Sequence, residues 1–293
     1  MCGSDVQMPG MTSTPLLYAL AGFCFLALLA GPACGEKVTR RDQISDFSMQ
    51  PSPQPPDTSH LITLFMTGDV MTGRGMDQVL LHPGDPLIPE SYMKSAIGYV
   101  ELAEQANGPI QKPVDFSYIW GDALEELERV RPDVRIINLE TSVTTSNDYW
   151  EDKGIYYRMH PENIPSLTAA KIDVCSLANN HVLDWGYAGL TQTLEALKKV
   201  DINSAGAGQN LDEAQMPAVV KVEGKGRVLV FSYGLESSGI PASWAATADK
   251  PGVNLLENLS HQTVRHIREK VEAVKQPGDI VVASIHWGDN WGY

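Results

Sequence analysis

A layered α/β sandwich with a mixed sheet is the fold class that this sequence predicts. Short apolar runs of strand length alternate with segments of helical periodicity, the alternation that builds a sheet covered by helices. Residues 218–222 and 227–231 flank Glu223-Gly224-Lys225-Gly226, a hairpin signal that adds antiparallel pairing to the sheet. Four of the apolar runs also end in Asp, Glu, Asn or His. In open α/β sheets, ligands bind outside the carboxyl ends of strands, which is where these side chains would lie.

The elements follow in order. Residues 16–33 form an almost unbroken apolar run ending in Gly31-Pro32-Ala33, small residues that suit a cleavage site. Residues 1–35 are therefore expected to be a signal peptide or membrane anchor, placing the protein outside the cytoplasm, membrane-associated or secreted. Residues 36–60 carry Pro51, Pro53, Pro55 and Pro56 and read as an extended linker. The folded domain is expected over 61–293. Its first strand, 61–66, runs into Thr67-Gly68-Asp69. Residues 77–113 are a Pro- and Gly-punctuated insertion with one helix around 93–106. Residues 120–130 are helical, with Leu124, Leu127 and Val130 on one side. A strand at 134–137 leads into Asn138-Leu139-Glu140, and a buried strand at 172–177 into Ala178-Asn179-Asn180-His181. A helix at 189–200 follows, with Leu190, Leu194 and Leu197 in register. After the hairpin, a helix at 260–275 carries Val264, Ile267, Val271 and Val274, and a strand at 279–285 delivers His286-Trp287-Gly288. The chain stops at Trp291-Gly292-Tyr293, soon after that motif, so the last part of the fold is expected to be missing.

Composition narrows the function. With 293 residues, 43% of them hydrophobic, the chain can bury a sizeable core. A formal net charge of −14 argues against nucleic acid, whose binding needs clustered Lys and Arg. An anionic substrate would need bound cations or a local Arg to reverse the field. The four cysteines show no spacing of a disulfide framework or zinc knuckle.

The strand-end residues carry the chemistry. Asp69 beside Gly68 can reach a cation, or it can cap a helix. Glu140 is either a ligand or a solvated loop carboxylate. The Asn180 amide oxygen is a neutral ligand for a hard or borderline cation, and His181 can ligate, donate a proton or simply be satisfied by hydrogen bonds. Asp184, three residues on, is placed to orient His181 and stabilise its protonated form, or to cap the following helix. His286 is a ligand or a packed strand-end imidazole. Arg74 is the cation near these groups in sequence, either clamping an anionic oxygen or forming a surface ion pair. Taken together, these residues are the pattern of a metal-assisted hydrolase with a one- or two-metal centre. Gly206-Ala207-Gly208 is too short to be a nucleotide loop.

The motifs Gly68-Asp69-Val70-Met71 with Arg74, Asn138-Leu139-Glu140, Ala178-Asn179-Asn180-His181 with Asp184 and Gly186, Gly206-Ala207-Gly208, and His286-Trp287-Gly288 occur in an order that resembles the CapA family. These are capsule (poly-γ-glutamate) biosynthesis proteins related to calcineurin-like metallophosphatases. The resemblance covers residue 61 to the end and implies a four-layer α/β/β/α sandwich with mixed sheets. It also implies a part in making, exporting or anchoring an anionic cell-surface polymer. Asp69, Glu140, Asn180 and His286 become metal ligands by that analogy, His181 the proton donor with Asp184 behind it, and Arg74 a substrate contact. The cofactor implied is a divalent ion, whether Mn, Fe, Zn or Mg. The partners implied are an anionic polymer or phosphoester substrate and membrane-bound synthase subunits. The sequence departs from metallophosphatases at Met71, where Asp-x-His is usual, and from many family members at Asp289-Asn290, which stand where a Glu follows His-Trp-Gly. A later Gly-His-x-x-His segment of the family is not in the sequence. These departures leave a non-catalytic accessory role as the alternative to a hydrolase.

Overall fold

The structure is a computed structural model that describes residues 60–289. The expected leader, nearly all of the expected linker, and Cys2, Cys24 and Cys34 lie outside the described residues. Within them, no helix is long and apolar enough to cross a membrane.

The chain runs β1 (Leu64–Val70), α1 (Gly75–Val79), α2 (Ile97–Asn107), α3 (Ala123–Val130), β2 (Val134–Leu139), β3 (Ser142–Val143), β4 (Arg158–Met159), α4 (Pro165–Ala169) and β5 (Val174–Ser176). It continues through α5 (Gly186–Lys199), β6 (Asn203–Ala205), β7 (Ala207–Gly208), α6 (Leu211–Gln215), β8 (Ala218–Val222), β9 (Gly226–Leu235), β10 (Gly252–Val253), β11 (Leu255–Leu256), α7 (His261–Val274) and β12 (Ile280–His286). One sheet has the order β1-β2-β5-β6, all parallel. In a second sheet, β9 pairs in parallel with β11 and β12 and antiparallel with β8. The predicted hairpin is β8–β9, closed at Val222 opposite Gly226.

Period-2 alternation sorts the side chains. From β2, Val134 and Ile136 join Val174 of β5 and Val228 and Val230 of β9 in one buried cluster, with Ile280 and Val282 of β12 packed against it. That cluster is the contact between the two sheets. Ile137, Leu139 and Cys175 point the other way, into a core shared with Leu127 of α3 and Leu190 and Leu197 of α5. Leu229, Phe231 and Tyr233 of β9 face Ile267 and Val271 of α7. The chain is therefore mixed α/β, with helices outside and sheet against sheet inside.

Several boundaries shift by a few residues from expectation, three of them next to the strand ends that carry the polar residues. β1 runs on to Val70 because a register shift between Met66 and Asp69 lets the strand resume pairing, with Asp69 opposite Asn138. β2 continues to Leu139, so Asn138 sits within the strand. α5 begins at Gly186, whose φ of +67° suits glycine and whose Cβ, if present, would lie 2.8 Å from the Asp148 carbonyl. The 77–113 insertion holds its expected helix, α2, and packs through two small apolar clusters. Val79, Leu80, Val100 and Val114 form one cluster, while Ile88 and Ala96 pack with Tyr156 and Trp185 in another.

Candidate metal centre

The bulged end of β1 presents Asp69 at the surface beside Asn138. Glu140, 4% exposed, follows β2 and shares a strand face with Asn138 two residues before it. His286 ends β12, in the second sheet, opposite Gly234. Ligand atoms of Asp69, Glu140 and His286 lie within 4.8 Å of one another. The His286 Nε2 is 3.2 Å from Glu140 Oε1 and 3.1 Å from Asn180 Oδ1. Two sheets and one loop thus place two carboxylates, an imidazole and an amide oxygen around a single point.

The loop carrying Asn180 is held by close packing. Ala178 lies between Gly206 and Gly234: a Cβ on Gly206 would stand 2.7 Å from the Ala178 Cβ, and one on Gly234 would stand 2.9 Å from the Ala178 carbonyl oxygen. Gly206 also has a φ of +93°. The Gly206-Ala207-Gly208 motif is therefore a device of close approach.

An amide ladder orients the carboxylates. Asn179, fully buried, accepts from the His181 backbone N–H (3.1 Å) and donates to the Leu139 carbonyl (2.8 Å). Those two backbone partners fix which end of its amide is nitrogen. Asn179 Nδ2 then donates to Asn138 Oδ1 at 3.0 Å, which leaves Asn138 Nδ2 to donate to Asp69 Oδ1 (2.8 Å) and Glu140 Oε1 (2.9 Å). Asn138 is thus an orienting donor to the ligands, the kind of supporting contact on which metal sites depend.

His181, 7% exposed, has its Nε2 3.7 Å from Glu140 Oε2, and its Nδ1 is 2.7 Å from Asp184 Oδ2. Asp184 is fully buried and does not cap α5, whose N-cap is Trp185. Asp69 lies in a strand and does not cap α1. Both helix-cap alternatives therefore fall away. Asp184 also accepts from the Tyr157 backbone N–H at 2.7 Å and meets the Lys153 ammonium at 2.6 Å.

Arg74 enters the site through an aromatic relay. Its Nε and Nη2 both donate to Glu90 Oε1, at 2.9 and 2.5 Å, and Glu90 is fully buried. The guanidinium lies 4.5 Å from the Tyr99 ring and 4.8 Å from the Tyr157 ring, and Tyr157 meets the His181 ring edge-on at 4.5 Å. Glu90, Tyr157 and Lys153 had no signal in the sequence, since they come from aperiodic stretches placed by packing. Asn138 did have one, in its spacing from Glu140.

Electrostatics favour a cation. Burial first, and the nearby Asp69 charge second, push the Glu140 carboxyl up to about 8. Burial lowers His286, leaving a neutral ring with a lone pair to offer. A dication would relieve the carboxylate repulsion, and the N/O donor set suits Mn, Fe or Zn, with Mg the poorer match to an imidazole. The residues fit a divalent ion.

A parallel sheet and its packed partner, with acid, amide and imidazole groups at their carboxyl ends, define an α/β protein with a candidate metal centre. Residues 63–293 match the family described as bacterial capsule synthesis protein PGA_cap, and the chain belongs to that family. It is 50% identical over 234 residues to a probable polyglutamine synthesis accessory protein of Mycobacterium tuberculosis, covering 80% of this chain and 62% of that relative. It is also 24% identical over 230 residues to the capsule biosynthesis protein CapA of Bacillus anthracis, covering 78% and 47%. With the PGA biosynthesis protein CapA of Bacillus subtilis it shares 28% identity over 234 residues, covering 79% and 50%. The chain thus spans roughly half to three-fifths of the length of these curated relatives.

Proposed function

We propose that this chain is a CapA-type protein of poly-γ-glutamate or related anionic-polymer synthesis, working outside the cytoplasm at the membrane, with a metal-dependent hydrolytic site of metallophosphatase type. The single observation that carries the reading is the convergence of Asp69, Glu140 and His286 within 4.8 Å. The succession of helices, sheet, sheet and helix is consistent with the four-layer α/β/β/α sandwich of that superfamily.

Asp69, Glu140, His286 and Asn180 would hold the ion. When bound, a divalent cation supplies a Lewis acid for a phosphoryl or acyl oxygen and favours ionisation of a water. The chain's own residues do the rest. Asn138 keeps both carboxylates aimed at the same point, and Asp184 holds His181 Nδ1 so that Nε2 faces the site beside Glu140. From there His181 delivers a proton to a leaving group. Arg74 and Glu90 fix the Tyr157 ring against His181.

The test is metal content and turnover of the purified protein on a phosphoester and on polyglutamate, beside His181→Ala. The hydrolase reading expects turnover in the parent and its loss, with metal retained, in the variant. A second reading, a non-catalytic accessory subunit that uses the same rim to hold an anionic chain, is favoured by Met71 at the usual metal-binding His position and by the commitment of Arg74 to Glu90. It expects bound metal and polymer with no turnover in either form.

A further inference from the structure

We infer that Lys153 is the positioning residue of this site, tying the backbone of Asn180 and the carboxylate of Asp184 to one ammonium and so fixing His181 between them. The inference rests on the metal reading above. Lys153 Nζ lies 2.6 Å from Asp184 Oδ1 and donates to the Asn180 backbone carbonyl. The same ammonium sits 4.8 Å above the ring of the fully buried Trp244, and the Lys153 side chain is 13% exposed. Its own backbone is anchored too: Lys153 N–H donates to the Tyr156 hydroxyl (3.1 Å), which donates to the Trp150 carbonyl (2.7 Å).

The geometry singles out this contact because of what lies at its two ends. Asn180 is the residue whose side-chain Oδ1 faces His286, and Asp184 is the residue that holds His181. One cation therefore holds both ends of the pentapeptide 180–184, which supplies both an amide ligand and the imidazole. A lysine that only neutralised a buried carboxylate would have no need of the Asn180 carbonyl. Removal of Lys153 leaves Asp184 buried without its cation and frees the Asn180 backbone to move its amide away from His286.

The test is Mn²⁺ affinity by calorimetry, with thermal midpoints measured alongside, for the parent, Lys153→Met, Lys153→Arg, Asp184→Asn and Lys153→Met/Asp184→Asn. Lys153→Met is expected to weaken Mn²⁺ binding by roughly 10- to 100-fold, as loss of an outer supporting contact does. Lys153→Arg, which keeps a cation with several donors, is expected to restore most of it. The double variant should bind no worse than the weaker single one, because both act through one tie. Should Lys153→Met fail to unfold cooperatively, Lys153→Gln, which keeps one donor, takes its place. A parent that binds Mn²⁺ while Lys153→Met stays within about threefold of it, or losses that multiply in the double variant, overturns the positioning role alone. A parent that takes up no Mn²⁺ overturns the metal reading and this inference together.

Discussion

Two carboxyl groups, Asp69 and Glu140, share this site, and Asn138 joins them. Its single Nδ2 donates to Asp69 and Glu140, while its oxygen is occupied by Asn179. Asn138→Ala removes that donor and leaves the two carboxyl groups without a shared orienting partner, so Mn²⁺ affinity should fall by about 10- to 100-fold in calorimetry. The Glu140 proton gives a second expectation. The folded protein holds it up to about 8, whereas the ordinary value is 4.5, so folding favours the protonated form. This contribution to stability is full below about pH 4.5 and is lost as pH rises towards 8. A cation competes with the same proton, so Mn²⁺ affinity should climb across that window. Glu140→Gln should bind more weakly and flatten the slope. A parent whose affinity is flat over the window would mean that Glu140 is not a ligand.

Elements place these residues, and the sequence showed them unequally. β1, β2, β9 and β12 were legible because each sends successive apolar side chains to opposite faces, and Gly224 marks the hairpin turn. The strand-end residues Asp69, Glu140 and His286 were legible together, since four apolar runs ending in acidic, amide or imidazole groups converge on one rim although each has an ordinary structural alternative. Asn180, His181 and Asp184 stood out as a polar cluster after β5. The other half of the site was hidden. Glu90 comes from the insertion and Lys153 from an aperiodic loop, and neither carries a periodicity that could forecast its neighbours. The glycines were visible but their purpose was not. Gly206 is bare because Ala178 and Ser232 crowd it, with a Cβ falling 2.5 Å from Ser232 Oγ and a φ of +93°. Gly206→Ala should therefore destabilise by about 1–3 kcal/mol, from strain and overpacking together, and displace the Asn179–His181 loop. A thermal midpoint equal to that of the parent would show that the two sheets have slack here.

At the scale of the whole molecule, the candidate centre joins two sheets whose shared core is apolar. Asp69 and Glu140 come from the first sheet, and Asn180 from the loop after it. His286 alone comes from the second, at the end of β12. Among the described residues β12 pairs on one side, with β9, and α7 above it has no fully buried residue. A bound cation should therefore stabilise unevenly. Ligand linkage gives about 2.7 kcal/mol at a free-ion concentration of 100 Kd, provided the unfolded chain does not bind. Much of that gain should appear where His286 is the tether. Adding Mn²⁺ should raise the thermal midpoint and slow amide hydrogen exchange most strongly in β12, with β2 and β5, already paired on both sides, changing little. Chelation should reverse both effects, and Asp69→Asn should abolish them without altering exchange in the ion-free protein. Uniform protection across both sheets would assign the cation a site other than this one, because only a tether at the end of β12 concentrates the effect on that strand.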